Sequence, residues 1–200
     1  MTGASPTRVA LACHTASPTL AVRAIRAEVA MTSQGSLQLR YVLQGSIGEL
    51  AIPPQGPPAP ADELWHHTCF EAFIARSGSP VYCEFNFSPS TEWAAYGFAR
   101  YRQGMAPLRC GPSTGITVRQ SDDQLELEAP ITRMALSALP GTGAYRIAIA
   151  AVIEERCGRM SYWALTHPTS SPDFHHPDSF VLPLHCPDSL VSPASTETAP

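Results

Sequence analysis

The chain has 200 residues, of which 44% are hydrophobic, 15% charged and 20 are proline. That length allows one all-β domain with a sizeable core, and few charges with many prolines suit a loop-rich β protein better than a helical bundle. A formal net charge of −4 argues against nucleic acid or an anionic membrane as main partner, and no apolar run approaches the roughly 18 residues needed to span a bilayer.

In chain order, residues 1–7 are polar and read as a flexible tail, with a single domain expected over 8–186. The opening MTGASPTRVALACHTASP has one Arg and a very short apolar run, so it does not read as a signal peptide. Residues 8–14 are a short apolar strand candidate. AVRAIRAEVAMT follows with mixed apolar spacing, between helix and strand. Gly35 and an alternating run come next, so strand is assigned. In that run, SLQLRYVLQG, Leu37, Leu39, Tyr41 and Leu43 lie on one side and Gln38, Arg40, Val42 and Gln44 on the other. IPPQGPPAPADE is a polyproline-like crossover over one end of the fold.

Residues 67–75 and 81–88 read as two antiparallel strands joined by a turn over 76–80, and 92–102 as a third extended segment. QGMAPLRCGPSTG is a loop. Residues 116–120 and 124–129 form a hairpin around Ser121-Asp122-Asp123. PITRMALSAL holds at most one helical turn. YRIAIAAVI reads as a central strand, MSYWALT as the next, 167–177 as a proline-punctuated loop and 179–184 as a last short strand. Residues 187–200 are rich in Ser, Pro and Thr and read as a second flexible tail. The six cysteines (Cys13, Cys69, Cys83, Cys110, Cys157, Cys186) have no CxxC pair. With ample core they are expected as free thiols in a reducing cytoplasm. There is no internal repeat, phosphate-binding glycine loop, GxSxG or HExxH. The sum is an all-β fold: an immunoglobulin-like or jelly-roll type antiparallel β-sandwich of about ten strands with at most one short helix.

Alternation assigns faces to the central hairpin. Phe70, Ala72 and Ile74 share one side with Val81, Cys83, Phe85 and Phe87, which is a sandwich core. His67, Cys69, Glu71 and Phe73 share the other, with Glu84, Asn86 and Ser88. If Arg76 pairs with Val81, Glu71 lies opposite Asn86 and Phe73 opposite Glu84, leaving the two acids diagonal at ~7 Å. Such carboxylates repel unless something pairs with them. Arg100 and Arg102, on the same parity as Tyr96, are candidates. Three readings stay open: a closed Glu/Arg network, a polar ligand site, and a catalytic carboxylate pair.

His66 and His67 point to opposite faces of any strand, so both cannot ligate one ion without a bend. His67 and Cys69 share a side, and His175-His176 could bring further donors. Haem would need an axial His or Met in an apolar pocket; Met105, Met134 and Met160 are available. Trp65, Trp93 and Trp163 lie at strand ends or beside loops, where Trp is either a core plug or a platform for a ligand ring.

LWHHTCFEAFI, YCEFNFSPSTEWAAYGFARYRQGM, IAAVIE, SYWAL and HPTSSPDFHHPDSF resemble bacterial DOMON-like domain proteins, which are similar in turn to the family 9 carbohydrate-binding modules. The resemblance runs from about Leu11 to Leu184 and implies a β-sandwich with a non-catalytic ligand-binding role, sugars or haem being the ligands of better-known relatives. In the carbohydrate modules the comparable strand begins with Trp, two acidic residues and then a Glu. Trp65 and Glu71 match, whereas His66 and His67 stand at the acidic pair. Glu84 falls where those modules carry a polar residue in the following strand.

The expectation is therefore a cytoplasmic module that binds a polar small molecule, most simply a carbohydrate. Trp65 and Trp93 would stack on the ligand, Glu71, Glu84, Asn86 and Arg100 would bind its hydroxyls, and His67, His175 and His176 would line the rim. No cofactor is assigned, with haem or a divalent metal as alternatives. A hydrolase using Glu71, Glu84 and the histidines is the rival class. No nucleic acid or membrane partner is expected, and the chain is expected to be a monomer or weak homo-oligomer.

Overall fold

The computed structural model describes residues 5–108 and 115–184. Among them are twelve strands: β1 (Thr7–Cys13), β2 (Val22–Met31), β3 (Leu37–Gly45), β4 (Cys69–Arg76), β5 (Tyr82–Phe87), β6 (Trp93–Phe98), β7 (Ala106–Pro107), β8 (Thr117–Gln120), β9 (Gln124–Ile131), β10 (Tyr145–Glu154), β11 (Met160–Ala164) and β12 (Leu182–Leu184). One helix, α1 (Arg133–Leu136), follows β9, and the Thr132 hydroxyl caps it by accepting from the Ala135 N–H at 3.2 Å. β1 begins at Thr7, one residue inside the expected first tail, and the second tail, 187–200, lies outside the described residues.

Neighbouring strands pair antiparallel in the order β7-β6-β5-β4-β10-β11-β1-β2-β3-β9-β8, with β12 also on β10. The ribbon folds into two layers at β1. Its first part, Thr7 to Leu11, pairs with β2, and its end, Ala12 and Cys13, pairs with β11. One strand thus serves both sheets and forms the corner of the sandwich. The inward residues of both layers make one core. Ile25, Val29, Leu39, Tyr41, Leu43, Leu125 and Leu127 from the first meet Phe70, Ile74, Phe85, Phe87, Ile147 and Ile149 from the second. Tyr41 ties the layers together, its hydroxyl donating to the Glu71 carbonyl at 2.9 Å and its ring 5.0 Å from that of Phe70.

In β3 and β9 the buried positions alternate with outward ones, as period-2 patterning requires. β2 looked ambiguous in sequence for a physical reason. Its pairing with β3 shifts between Val22 and Ala24, so Arg23 is an extra residue and both Val22 and Ile25 turn inward. A β-bulge therefore produces the three-residue spacing of a helix inside a strand.

The second sheet is buried on both faces: every residue of β5, and of β4 up to Ala75, is buried. Its outer face carries a second apolar cluster of Phe73, Ala75, Tyr82, Ala94, Tyr96, Phe98, Ala148, Ala150, Ala164 and Phe180. The cover is the chain between β11 and β12, residues 165–181. Phe174, His175 and Phe180 from that loop pack against Phe73, and His175 also against Tyr82 and Phe98. Among the described residues no helix is long and apolar enough to cross a membrane.

Candidate functional site

The register expected from the hairpin is the one observed: Glu71 lies opposite Asn86 and Phe73 opposite Glu84. Both acids therefore project from the outer face of the second sheet, one position apart diagonally. Small residues surround them. Along one row the order is Ala94, Asn86, Glu71, Ala150 and Ala164, and Phe73 faces Ala148 in the next. The alanines keep the surface low while aromatic residues from the covering loop stand high. The result is a cleft of about 480 Å³, lined among others by Glu71, Glu84, Phe98, Val152, Tyr162 and His175. That volume is within the range of small-molecule sites.

Three segments build the walls. Residues 64–66 make a single 3-10 turn that sets Trp65 and His66 on one rim. Trp65 meets the Tyr96 ring edge-on at 5.8 Å, and the Tyr96 hydroxyl donates to Asp62 Oδ1 at 2.8 Å. The turn between β6 and β7 brings Arg102 and Met105. Arg102 adopts φ 52°, and Gly104 follows at φ 70°, where a Cβ would stand 2.9 Å from that of Ala99. That turn is too tight for an ordinary side chain at Gly104.

The covering loop supplies the third wall, and Asp173 locks it to the second. Its Oδ1 accepts from Arg102 Nη2 at 2.8 Å and from the His175 N–H at 3.2 Å, and its Oδ2 accepts from the Tyr101 hydroxyl at 2.6 Å. Burial opposes ionisation of Asp173, but the bonds from Tyr101 and Arg102 outweigh it and hold its carboxyl below the ordinary value.

The floor is electrostatically unusual. Asn86 Nδ2 donates to Glu84 Oε1 at 2.7 Å, while Cys69 Sγ lies 3.9 Å from Asn86 Oδ1. His175 stands over Glu84, its Nε2 3.7 Å from Oε2 and its Nδ1 2.8 Å from the Tyr82 hydroxyl. That hydroxyl accepts from the Arg102 N–H at 3.2 Å, so its own proton is free to bond Nδ1 and leave the ring proton on Nε2. Burial, aided by the Arg102 charge, depresses His175 to about 4, so the ring is neutral at pH 7. Glu71 is only 2% exposed, and no hydrogen-bond partner reaches its Oε1. Burial pushes its carboxyl well above the ordinary value, and the Glu84 charge adds to the effect. Burial also raises Glu84 to about 7, against the opposing pull of Asn86 and Arg102. At neutral pH the pair therefore holds at least one proton.

Of the residues expected from sequence, Trp65, Glu71, Glu84 and His175 line the cleft, and Asn86 sits beneath it as a partner of Glu84. Four others do not reach it. Trp93 faces Phe87 and packs against the inter-sheet core, so it plugs the sandwich instead of offering a platform. Arg100 lies beyond the end of β6 and donates to Gln103 Oε1 at 2.7 Å, because strand parity stops at Phe98. His67, with a side chain 71% exposed, pairs with Glu154 at 2.7 Å outside the cleft, and His66 lines the rim in its place. His176 accepts from the Asp178 N–H at 3.2 Å and so caps the 177–179 turn.

Of the three readings left open for this face, the closed Glu/Arg network does not form among the described residues: Arg102 spends its guanidinium on Asp173, and the two acids face an open cleft. Sequence reasoning passed over Tyr82, whose parity with Glu84 marks it as a neighbour, and Asp173, for which only its place in PDFHHPDSF was a cue. Among the described residues no group of three or more His, Cys, Asp or Glu side chains is placed to hold a metal ion. The Nε2 of His175 is turned to the Glu84 carboxyl at 3.7 Å and its Nδ1 to the Tyr82 hydroxyl, so both nitrogens of this imidazole are engaged by the protein.

No protein-family model matches the chain, and no curated protein matches it. Its fold is similar to the crystal structure of a candidate carbohydrate-binding protein of Bacteroides uniformis. The TM-score is 0.64 at 13% identity, over 88% of this chain and 84% of that one.

Proposed function

We propose that this chain is a non-catalytic binding module that takes a polar small molecule, most simply a carbohydrate, in the cleft over Glu71 and Glu84. One observation carries the reading: a buried carboxyl oxygen with no protein partner lies under a cleft of ligand size. Buried polar groups are almost always hydrogen-bonded, so an orphan of this kind calls for a partner from outside the chain. Trp65, Phe98 and Tyr162 supply ring surface, and Glu71, Glu84 and Arg102 supply hydrogen-bonding groups, the combination that recognises a sugar ring and its hydroxyls. The fold likeness to a candidate carbohydrate-binding protein supports the same reading. A hydrolase is less favoured. The two carboxyls sit side by side on one floor, on paired strands, where nothing sets them on opposite sides of a scissile bond.

Calorimetric titration of a panel of monosaccharides and short oligosaccharides tests the proposal. Saturable binding that Glu71→Gln and Trp65→Ala weaken without loss of fold is expected. An absence of binding across the panel, with Glu71→Gln altering only the melting temperature, would make the cleft a structural feature.

A further inference from the structure

We infer that the ligand of this cleft carries an ammonium group held between Glu71 and Glu84, so that, within the carbohydrate reading on which this inference rests, it is an amino sugar and not a neutral one. The charge layout leads there. The ionisable groups facing the pair are Cys69 on β4, Tyr82 on β5, Tyr96 on β6, Tyr162 on β11, His66 on the rim, and Arg102, Asp173 and His175 on the two loops. Arg102 is the only guanidinium among them, and Asp173 already holds it. Among the described residues no cation of the chain lies in ion-pairing distance of Glu71. Glu84 has the neutral His175 at 3.7 Å and feels the Arg102 charge from beyond ion-pairing distance. Oε1 of Glu84 accepts from Asn86, but Oε1 of Glu71 accepts from nothing.

A neutral sugar entering this site would strip water from two adjacent carboxyls and return one donor per hydroxyl. It would leave the acids either protonated or repelling each other. An ammonium offers three donors, no acceptor and a compensating charge, which two adjacent carboxyls with no charged partner among the described residues in ion-pairing distance lack. The rings of Trp65 and Tyr162, which line the same cleft, favour a cation as well.

The proton balance is explicit. The free pair holds a proton at neutral pH, since burial raises both acids. The ammonium pairs with ionised carboxylates, so binding expels that proton to the buffer. Cys69, Tyr82 and Tyr96 are raised and His175 is lowered to about 4, so none of these four is a source of it.

The test is calorimetric titration with glucosamine, galactosamine and mannosamine, each beside its neutral parent and its N-acetyl form. It is run at about pH 6.5, where a sugar amine is mostly charged, in two buffers of different ionisation enthalpy. At least one amino sugar is expected to bind about tenfold or more tighter than both partners, with net proton release. Glu71→Gln and Glu84→Gln, still folded by circular dichroism, are expected to abolish both effects. Should either variant fail to fold, proton release by the wild-type chain, repeated with His66→Ala to remove the rim imidazole, still decides. Equal or tighter binding of neutral or N-acetyl sugars, or binding without proton release, would overturn the ammonium while leaving the cleft as a sugar site. Amino-sugar binding indifferent to both substitutions would overturn it by moving the site elsewhere. No binding by any sugar would overturn the inference and the carbohydrate reading together.

Discussion

Replacing Glu84 by Gln should stabilise the protein, and only on the alkaline side. Glu84 is 5% exposed, and burial raises its carboxyl to about 7 from an ordinary 4.5. The unfolded chain releases this proton near 4.5 and the folded chain only near 7. The unfolded state thus binds fewer protons across that window, and folding stability falls as pH rises through it. At 1.36 kcal/mol per pH unit the gap corresponds to about 3 kcal/mol, lost progressively from pH 4.5 to 7 and wholly absent above. Gln removes the titration while its side-chain oxygen still accepts from Asn86 Nδ2, so the local hydrogen bond survives. Removing the Glu84 charge also eases ionisation of Glu71, bringing its carboxyl nearer the unfolded value and adding to the gain. Glu84→Gln should therefore be about 1–3 kcal/mol more stable than wild type at pH 8 and about equal to it at pH 4.5. Urea unfolding of both proteins at the two pH values measures the difference directly. A variant less stable than wild type by the same amount at both would refute the reasoning, because Glu84 would then be a stabilising, ordinarily ionised carboxylate.

The two rim-and-core tryptophans should separate cleanly. Trp65→Ala should weaken sugar binding about tenfold or more and cost about 1 kcal/mol of stability, whereas Trp93→Ala should cost about 2 kcal/mol and leave the affinity of the folded protein unchanged. Titration calorimetry beside thermal unfolding reads both. Asp173→Asn should loosen residues 99–105, visible as faster amide hydrogen exchange there, and weaken ligand binding by misplacing Arg102. Its carboxyl is held below the ordinary value in the folded chain, so its contribution is present above the unfolded pKa and lost as pH falls through the folded one. The variant should match wild type most nearly in acid, which unfolding at pH 3 and pH 7 would check.

Alternation carried most of the architecture. Side chains on a pleated strand have two choices of face, so the hairpin's core side, its acidic side and even its register could be read once Arg76 and Val81 were taken to flank the turn. The failures begin where strands end. Parity was carried from Tyr96 through to Arg100 and Arg102, but the chain leaves the sheet after Phe98 and turns at a left-handed Arg102, so the two arginines part company. His66 and His67 sit at the end of a 3-10 turn, where strand parity had no meaning. Trp93 was placed by its position near a loop, though its direct partner Phe87 assigns it to the core. That residues 165–181 cover the outer face, and that Asp173 latches them to Arg102 and Tyr101, depends on long-range contacts with no local signature beyond the aromatic residues in the loop.

The most direct measurement is carbon-detected NMR of the glutamate side-chain carboxyls across a pH series, with and without a sugar of the panel, the two resonances being assigned with the Glu71→Gln and Glu84→Gln variants. Two carboxyls should titrate well above the ordinary glutamate range in the free protein, and both should shift on saturation with the ligand. Carboxyls that all titrate near 4.5 and stay fixed when sugar is added would contradict a ligand site on this floor.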